Sequence, residues 1–465
     1  MALILGTIPF DELYDGGTDE EDLEDLELLG GVLGDFYPVD VDDRLNERYR
    51  IVHKLGSGPF SEVWLAIHEE THKYVAIKVG IAQSDGSEGQ ILTKISHILA
   101  NSKIGNDKKL LVPTLLDRFE ISGPKGTHPC LVTLPAQCTL ENAKFKASGG
   151  LFQLDVARSL AAQLAIAVSI VHKNGYAHGD LDLRNVLLQL PASLDDLSVE
   201  KLYETYGRPE KWLVEDIEPK AASPDLSIPT CLVCPGCLIV PGHEITLAEA
   251  KLTLSNFRTA FRPADKSRFV SQADRALRPP EVLLEPETPL DFASDIWSLG
   301  CLIFSLLGGD SLIQGCWVRP GEITAQQVEL SGHMPPEWWR RWEERPEWYT
   351  EDGEPLFGPE EARPWERRFE ESVQKPRETS GMETLAEDEL AAVLKLLRDM
   401  LAWKPSERPN ISKVLESDWM TRWALPAYQN GSEKQKHVKE PRDLEVLSDL
   451  QAPKDTTKTL RKRKA

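Results

Sequence analysis

Seven cysteines in 465 residues are too few for a disulfide framework and point to a reducing compartment. Basic residues are missing altogether from positions 1–43, which carry 14 acidic ones, so this stretch reads as an acidic leader that folds little by itself. The apolar stretch Met1 to Phe10 has no basic region before it and no small-residue cleavage site after it, which argues against a secretory leader. Long uncharged apolar runs are also lacking. Val156–Val171 is broken by Arg158 and Gln163, and Ile296–Leu307 is too short to span a bilayer, so both predict buried helices. A formal charge of −22 argues against direct nucleic-acid binding and suits a cationic partner.

What is present is mixed. From Tyr49 to Val79 the chain alternates like strands, with turns at the glycines and at His68–Lys73, and this predicts an antiparallel meander. Three- and four-residue apolar spacing takes over at Glu88–Leu99, Leu151–His172, Asp295–Leu307 and Glu387–Leu401, which predicts helices. The order implies an α+β chain: a β-rich region 44–136, then a mostly helical region 137–427. Stretches at about 190–250 and 315–385 are poor in regular period and read as insertions, and 428–465 reads as a polar basic tail.

Three strings carry chemistry. Leu55-Gly56-Ser57-Gly58 turns between two strands and lets backbone amides approach phosphate oxygens, although such a turn is often only structural. Lys78 ends the apolar strand Val75-Ala76-Ile77, twenty residues after Gly58. Burying it is costly unless a carboxylate pairs with it. Glu88 is the candidate partner, a solvated surface glutamate being the other reading. His178-Gly179-Asp180-Leu181-Asp182-Leu183-Arg184-Asn185 precedes the strand-like Val186-Leu187-Leu188. An aspartate there can accept a hydroxyl proton while the asparagine five positions on holds a metal on phosphates. This string specifies phosphoryl transfer better than it specifies a protein substrate, because small-molecule phosphotransferases use a similar loop.

Arg278-Pro279-Pro280-Glu281, then Ser294-Asp295-Ile296-Trp297-Ser298-Leu299-Gly300, and Arg408 placed to pair with Glu281, complete a set that resembles the protein kinases. The resemblance implies a bilobal fold with ATP between a five-stranded small lobe and a helical large lobe. It implies Lys78 on the α/β-phosphates, Glu88 orienting it, Asp180 as base, and Asn185 and Asn256 on Mg²⁺. Leu55, Gly56, Ser57, Gly58, Val63 and Ala76 would surround the nucleotide, with adenine on backbone near Leu134–Ala136 and Thr133 at the back of the pocket. Phe36-Tyr37-Pro38-Val39, Leu45-Asn46-Glu47-Arg48 and Phe60-Ser61-Glu62-Val63-Trp64 further resemble the SR-protein kinases, which phosphorylate serines in Arg/Ser-rich splicing factors; this match covers about residues 36–424. Lys201–Glu210 and the Trp-rich Pro336-Glu337-Trp338-Trp339 resemble a divergent branch of that family in filamentous fungi. This implies an Arg/Ser-rich protein partner; the acidic charge and the lack of a spanning run argue against a nucleic-acid or membrane partner, and the expectation is a monomer in cytoplasm and nucleus.

The chain also departs from the family. Asn256 and Arg258 stand where the family's Asp-Phe-Gly has aspartate and glycine. An amide oxygen can ligate Mg²⁺ but brings no charge, and hard cations prefer carboxylates. If that charge supplied roughly 3–4 kcal/mol to the transition state, its loss would cost about 10²–10³-fold in rate. Asp182 and Leu183 replace a lysine and a proline, removing a cation near the γ-phosphate. The sequence thus supports a serine/threonine kinase of reduced rate or, alternatively, a pseudokinase interaction module that binds nucleotide weakly or not at all, with a small-molecule phosphotransferase behind both. Arg258 has two readings: a phosphate contact that partly replaces metal charge, or a side chain that blocks the pocket. Cys231, Cys234 and Cys237 with His243 have the wrong spacing for a zinc knuckle and read chiefly as free thiols in a loop. Arg461–Lys464 reads as either a nuclear address or a solvated tail.

Overall fold

β-Branched and aromatic residues at alternate positions give three strands from Tyr49 onward: β1 (Tyr49–Gly58), β2 (Ser61–His68) and β3 (Lys73–Gly80). Helix α1 (Ser87–Ala100) follows, then β4 (Asp117–Gly123) and β5 (Gly126–Thr133). The computed structural model describes residues 5–7, 36–213 and 231–436, apart from 83, 85, 237, 239, 266, 316, 317, 357 and 359–361. The small-lobe sheet is antiparallel and has six strands rather than the expected five, because Arg44–Leu45 pairs with β1 ahead of the order β1, β2, β3, β5, β4. One face buries Ile51, Trp64, Ala66, Val75, Ile77 and Val132 in an apolar core, as the two-residue period of a strand requires.

The acidic leader is less independent than its composition suggests. Val39 is buried in that small-lobe core, and Leu5–Thr7 pairs in parallel with Lys211–Leu213. The rest of the leader, and the tail beyond Lys436 with its terminal basic run, lie outside the described residues.

The large lobe is organised by two helices. α2 (Leu154–Lys173) is long and apolar enough to cross a membrane, yet 89% of its apolar window is buried inside the protein. α3 (Phe292–Leu307) starts where the Asp291 side chain accepts from Ala293 N at 2.7 Å. It is apolar all round because α2 and α5 (Glu387–Met400) pack against it. Short strands β6 (Val186–Gln189) and β7 (Leu252–Leu254) pair with each other and, through β6, with Ala136–Thr139.

Both stretches read as aperiodic insertions hold regular structure. Residues 315–385 contain α4 (Pro320–Ser331) and the short helix Pro336–Arg341, whose Trp338 is fully buried beside Trp342 and Trp403. Residues 190–250 contain helix Val199–Tyr206, opened by Ser198, whose hydroxyl accepts from Lys201 N. This segment is a strap from the large lobe to the small one. Leu194 and Leu202 bury Val52, Leu65 and Tyr74, the Tyr203 hydroxyl donates to Val52 O at 2.8 Å, and Asp195 accepts from Tyr74 N at 2.8 Å. By strand alternation, the sheet face it covers is the one that also carries Val63, Ala76 and Lys78. Order also extends past the expected start of the tail at 428: α6 (Leu425–Lys436) buries Tyr428, whose hydroxyl donates to Asp107 at 2.8 Å.

Candidate active site

β3 presents Lys78 opposite Val63 of β2, with Gly56 of β1 beyond it, so the glycine turn and the lysine share one corner of the sheet. α1 begins after Gly86, which holds a left-handed φ of 66°, and so Glu88 falls in its first turn. Lys78 Nζ donates to Glu88 Oε2 at 2.7 Å and to Asn256 Oδ1 at 3.0 Å. The other Glu88 oxygen accepts from Phe257 N at 3.0 Å. Glu88 is buried and paired, not a solvated surface residue.

Between α2 and β6, the segment 178–185 is drawn tight. Asp182, which replaces the family's lysine, accepts from Arg184 N at 2.8 Å and pairs with its guanidinium at 2.7 Å, so it caps the turn Leu183–Asn185. Asn185 Nδ2 donates to Asp180 O at 2.9 Å and to Asp180 Oδ2 at 3.0 Å. Asn256 Nδ2 donates to Asn185 Oδ1 at 2.9 Å. An unbroken hydrogen-bond relay therefore runs Glu88, Lys78, Asn256, Asn185, Asp180. Burial raises the Asp180 carboxyl above the ordinary aspartate range, against the opposing pull of His178 and the Asn185 bond.

The relay has a rigid backing. Asn256 sits at φ 63° and ψ 67°, a left-handed conformation that asparagine tolerates better than most residues. The next residue, Phe257, is fully buried edge-on to the His178 ring. Asp295, at the start of α3, accepts from His178 N at 2.7 Å, Gly179 N at 2.9 Å and His172 Nε2 at 2.8 Å. Gly179 has φ 76°, and a Cβ there would come within 3.0 Å of Thr259 O, so an arginine at this position would be strained. Asp295 and His172 are positioning residues to which the sequence alone assigned no role.

Leu55, Gly56, Ser57 and Gly58 end β1 below the turn tip Pro59-Phe60; a Cβ at Gly56 would meet nothing within 4 Å, which leaves backbone open to the cleft. Ala76 pairs with Thr133 across β3 and β5, and Leu134 and Pro135 then lead to Ala136, the first residue of a large-lobe strand. Val63, Ala76 and Lys78 thus share one sheet face, with the glycine turn at its edge and Leu134–Ala136 in the connection between the lobes. Phe60 had no assigned role in the sequence either. The Arg258 guanidinium stands 3.4 Å from the centre of its ring.

The donor set fits a divalent ion only in part. Lys78 can only donate, so Asn256 turns its oxygen to Lys78 and its NH₂ to Asn185. The Asp180 carboxylate only accepts, so Asn185 turns its NH₂ there. Both amide oxygens are engaged, and Asp180 supplies the charge of the set. Elsewhere, Cys237 lies outside the described residues, and no cluster of three metal-binding side chains occurs among the described ones. His243 Nδ1 accepts from Ser148 N instead.

The description "protein kinase domain" matches residues 49–198 and 248–420, leaving out most of the strap and running through 315–385. The chain is 27% identical over 443 residues to a serine/threonine-protein kinase, SRPK, of Physarum polycephalum, covering 88% of this chain and 92% of that one. It is 24% identical over 403 residues to a serine/threonine protein kinase of Aspergillus fumigatus, covering 83% and 88%. Against SRSF protein kinase 3 of Mus musculus it is 30% identical over 174 residues, 37% of this chain and 30% of that one. With its antiparallel small lobe, its helical large lobe and a family match over most of its length, the chain belongs to the protein kinase domain family and is a serine/threonine protein kinase.

Proposed function

We propose that this kinase transfers the γ-phosphoryl group of ATP to serine hydroxyls in Arg/Ser-rich proteins, at a rate held down by its metal site. The observation that carries the reading is the Lys78–Glu88 ion pair at 2.7 Å, because it joins the strand lysine to α1 beside the glycine turn, the arrangement that phosphoryl transfer from ATP requires. Lys78 is positioned for the α/β-phosphates and Glu88 orients it. Asp180, its carboxyl raised by burial, takes the serine proton as the hydroxyl attacks. Adenine lies against the backbone of Leu134–Ala136. A divalent ion, Mg²⁺ in this reading, would be held by Asn185 with Asn256 beside it, and would supply charge neutralisation on the phosphates. The acidic chain, at a net −22, favours an Arg-rich substrate, as do the names of two relatives. We place the protein as a monomer in cytoplasm and nucleus.

The deciding experiment is transfer of labelled phosphate from ATP to an Arg/Ser-repeat peptide, with Asp180→Ala as the blank. Turnover above the blank on that peptide, and less on a serine peptide without arginines, supports the proposal. Turnover equal to the blank favours the second reading, a pseudokinase interaction module. The observation on that side is Asn256, which brings no carboxylate to the site.

A further inference from the structure

Arg258 has no anionic partner among the described residues, and its one described contact is the face of Phe60. That ring belongs to the tip of the glycine turn, and Arg258 lies two residues beyond Asn256, whose amide touches Lys78. The guanidinium therefore bridges the lobes at the phosphate end of the cleft. Its field reaches Arg268, whose pKa is lowered first by burial and then by Arg258.

Two features of the site complement each other. Asn256 and Asn185 have spent their amide oxygens on Lys78 and on each other, so the position that ordinarily brings a carboxylate for a bridging metal brings none. The same segment brings a guanidinium instead, a planar fork of donors that matches phosphate oxygens. A ring beneath a guanidinium restricts its movement while leaving its N–H groups available.

We propose that Arg258 is a phosphate ligand that meets the terminal phosphate of ATP in place of the metal-bridging carboxylate, with Phe60 holding it in position, so that ATP binds without a divalent ion. This rests on the nucleotide-binding reading above. The consequence is selective. Arg258 strengthens ATP and leaves ADP, which lacks the terminal phosphate, little changed.

The test is calorimetric titration of the full chain with ATP and with ADP, each in excess EDTA and in saturating Mg²⁺. Wild type should lose less than ~3-fold in ATP affinity when Mg²⁺ is removed. Arg258→Ala should lose at least ~10-fold for metal-free ATP, about 1.4 kcal/mol, while ADP changes less than ~3-fold. Arg258→Lys should recover part of the loss, which separates a lost cation from a disturbed fold, and Phe60→Leu should show a smaller loss confined to ATP. If Arg258→Ala binds metal-free ATP as well as or better than wild type, or weakens ATP and ADP alike, the proposal falls. If wild type binds Mg·ATP but not metal-free ATP, only this proposal falls. Binding of neither overturns the nucleotide reading with it.

Discussion

Arg408 holds Glu281 with two nitrogens, at 2.8 and 2.6 Å, across 127 residues of sequence. Both side chains are out of solvent, and the same guanidinium donates to the carbonyls of Ala402, Ala293 and Trp403. This ties the end of the segment leading from Asn256 to the C-terminal helices. Removing one partner of such a pair leaves a buried charge uncompensated, at about 3–5 kcal/mol. Arg408→Ala should therefore lower the urea midpoint sharply, and Arg408→Lys, which keeps charge but not the fork, should fall between. An Arg408→Ala midpoint equal to wild type would contradict the finding.

Lys78 joins the small lobe to both Glu88 and Asn256, and a methionine there keeps the length without the charge. ATP should raise the melting temperature of wild type and leave that of Lys78→Met unmoved. An equal rise in both would show that the nucleotide binds elsewhere.

In the proposed reaction Asp180 acts as the base, which it can do only when unprotonated. Because burial raises its carboxyl above the ordinary value near 3.8, activity is full above the raised pKa and is lost as pH falls through it. The acid limb of kcat/KM should accordingly lie above that of a solvent-exposed aspartate. The Asn185 bond pulls the pKa down, so Asn185→Ala should move the limb further toward neutral pH. A limb that moves toward acid in this variant would reverse the assignment.

Asn256→Asp removes the amide donor to Asn185 Oδ1 and adds a carboxylate beside Asn185 and Lys78. Mg²⁺ should then strengthen ATP binding at least ~10-fold in the variant. Titration with and without Mg²⁺ measures this directly, and equal Mg²⁺ dependence in variant and wild type would contradict it.

Leu202 of the strap is 1% exposed and packs on Val52, Leu65 and Tyr74. Leu202→Ala should cost about 2–5 kcal/mol, read as a lower melting temperature together with faster proteolysis within 190–213. Destabilisation without new cleavage there would mean that the strap stays docked.

The α+β order was legible because Tyr49–Gly80 keeps a two-residue period and α2 and α3 are apolar on nearly every side. α4 was hidden because its inner face carries Thr324 and Gln327, both buried, the latter donating to Arg278 O, so burial there does not follow hydrophobicity. The strap was hidden for another reason: its helix is short, and the partners that hold it, Val52 and Tyr74, lie far away in sequence. At the site, the motif strings named the residues that meet. They did not disclose that Asn256 would donate to Asn185, nor that Phe60 would lie against Arg258, since hydrogen-bond direction and ring contacts emerge only when distant loops are brought together.

The strap also constrains the order in which the protein is made. Val52, Leu65 and Tyr74 emerge from the ribosome with their covering residues still untranslated. Tyr203 follows Val52 by 151 positions, a delay on the order of ten seconds at roughly 5–20 residues per second. Asp180 and Asn185 are synthesised within that interval. The small lobe therefore carries an uncovered apolar patch, open to chaperones, until residues 178–185 exist, and the sheet that holds Lys78 is covered only by chain that follows Asp180.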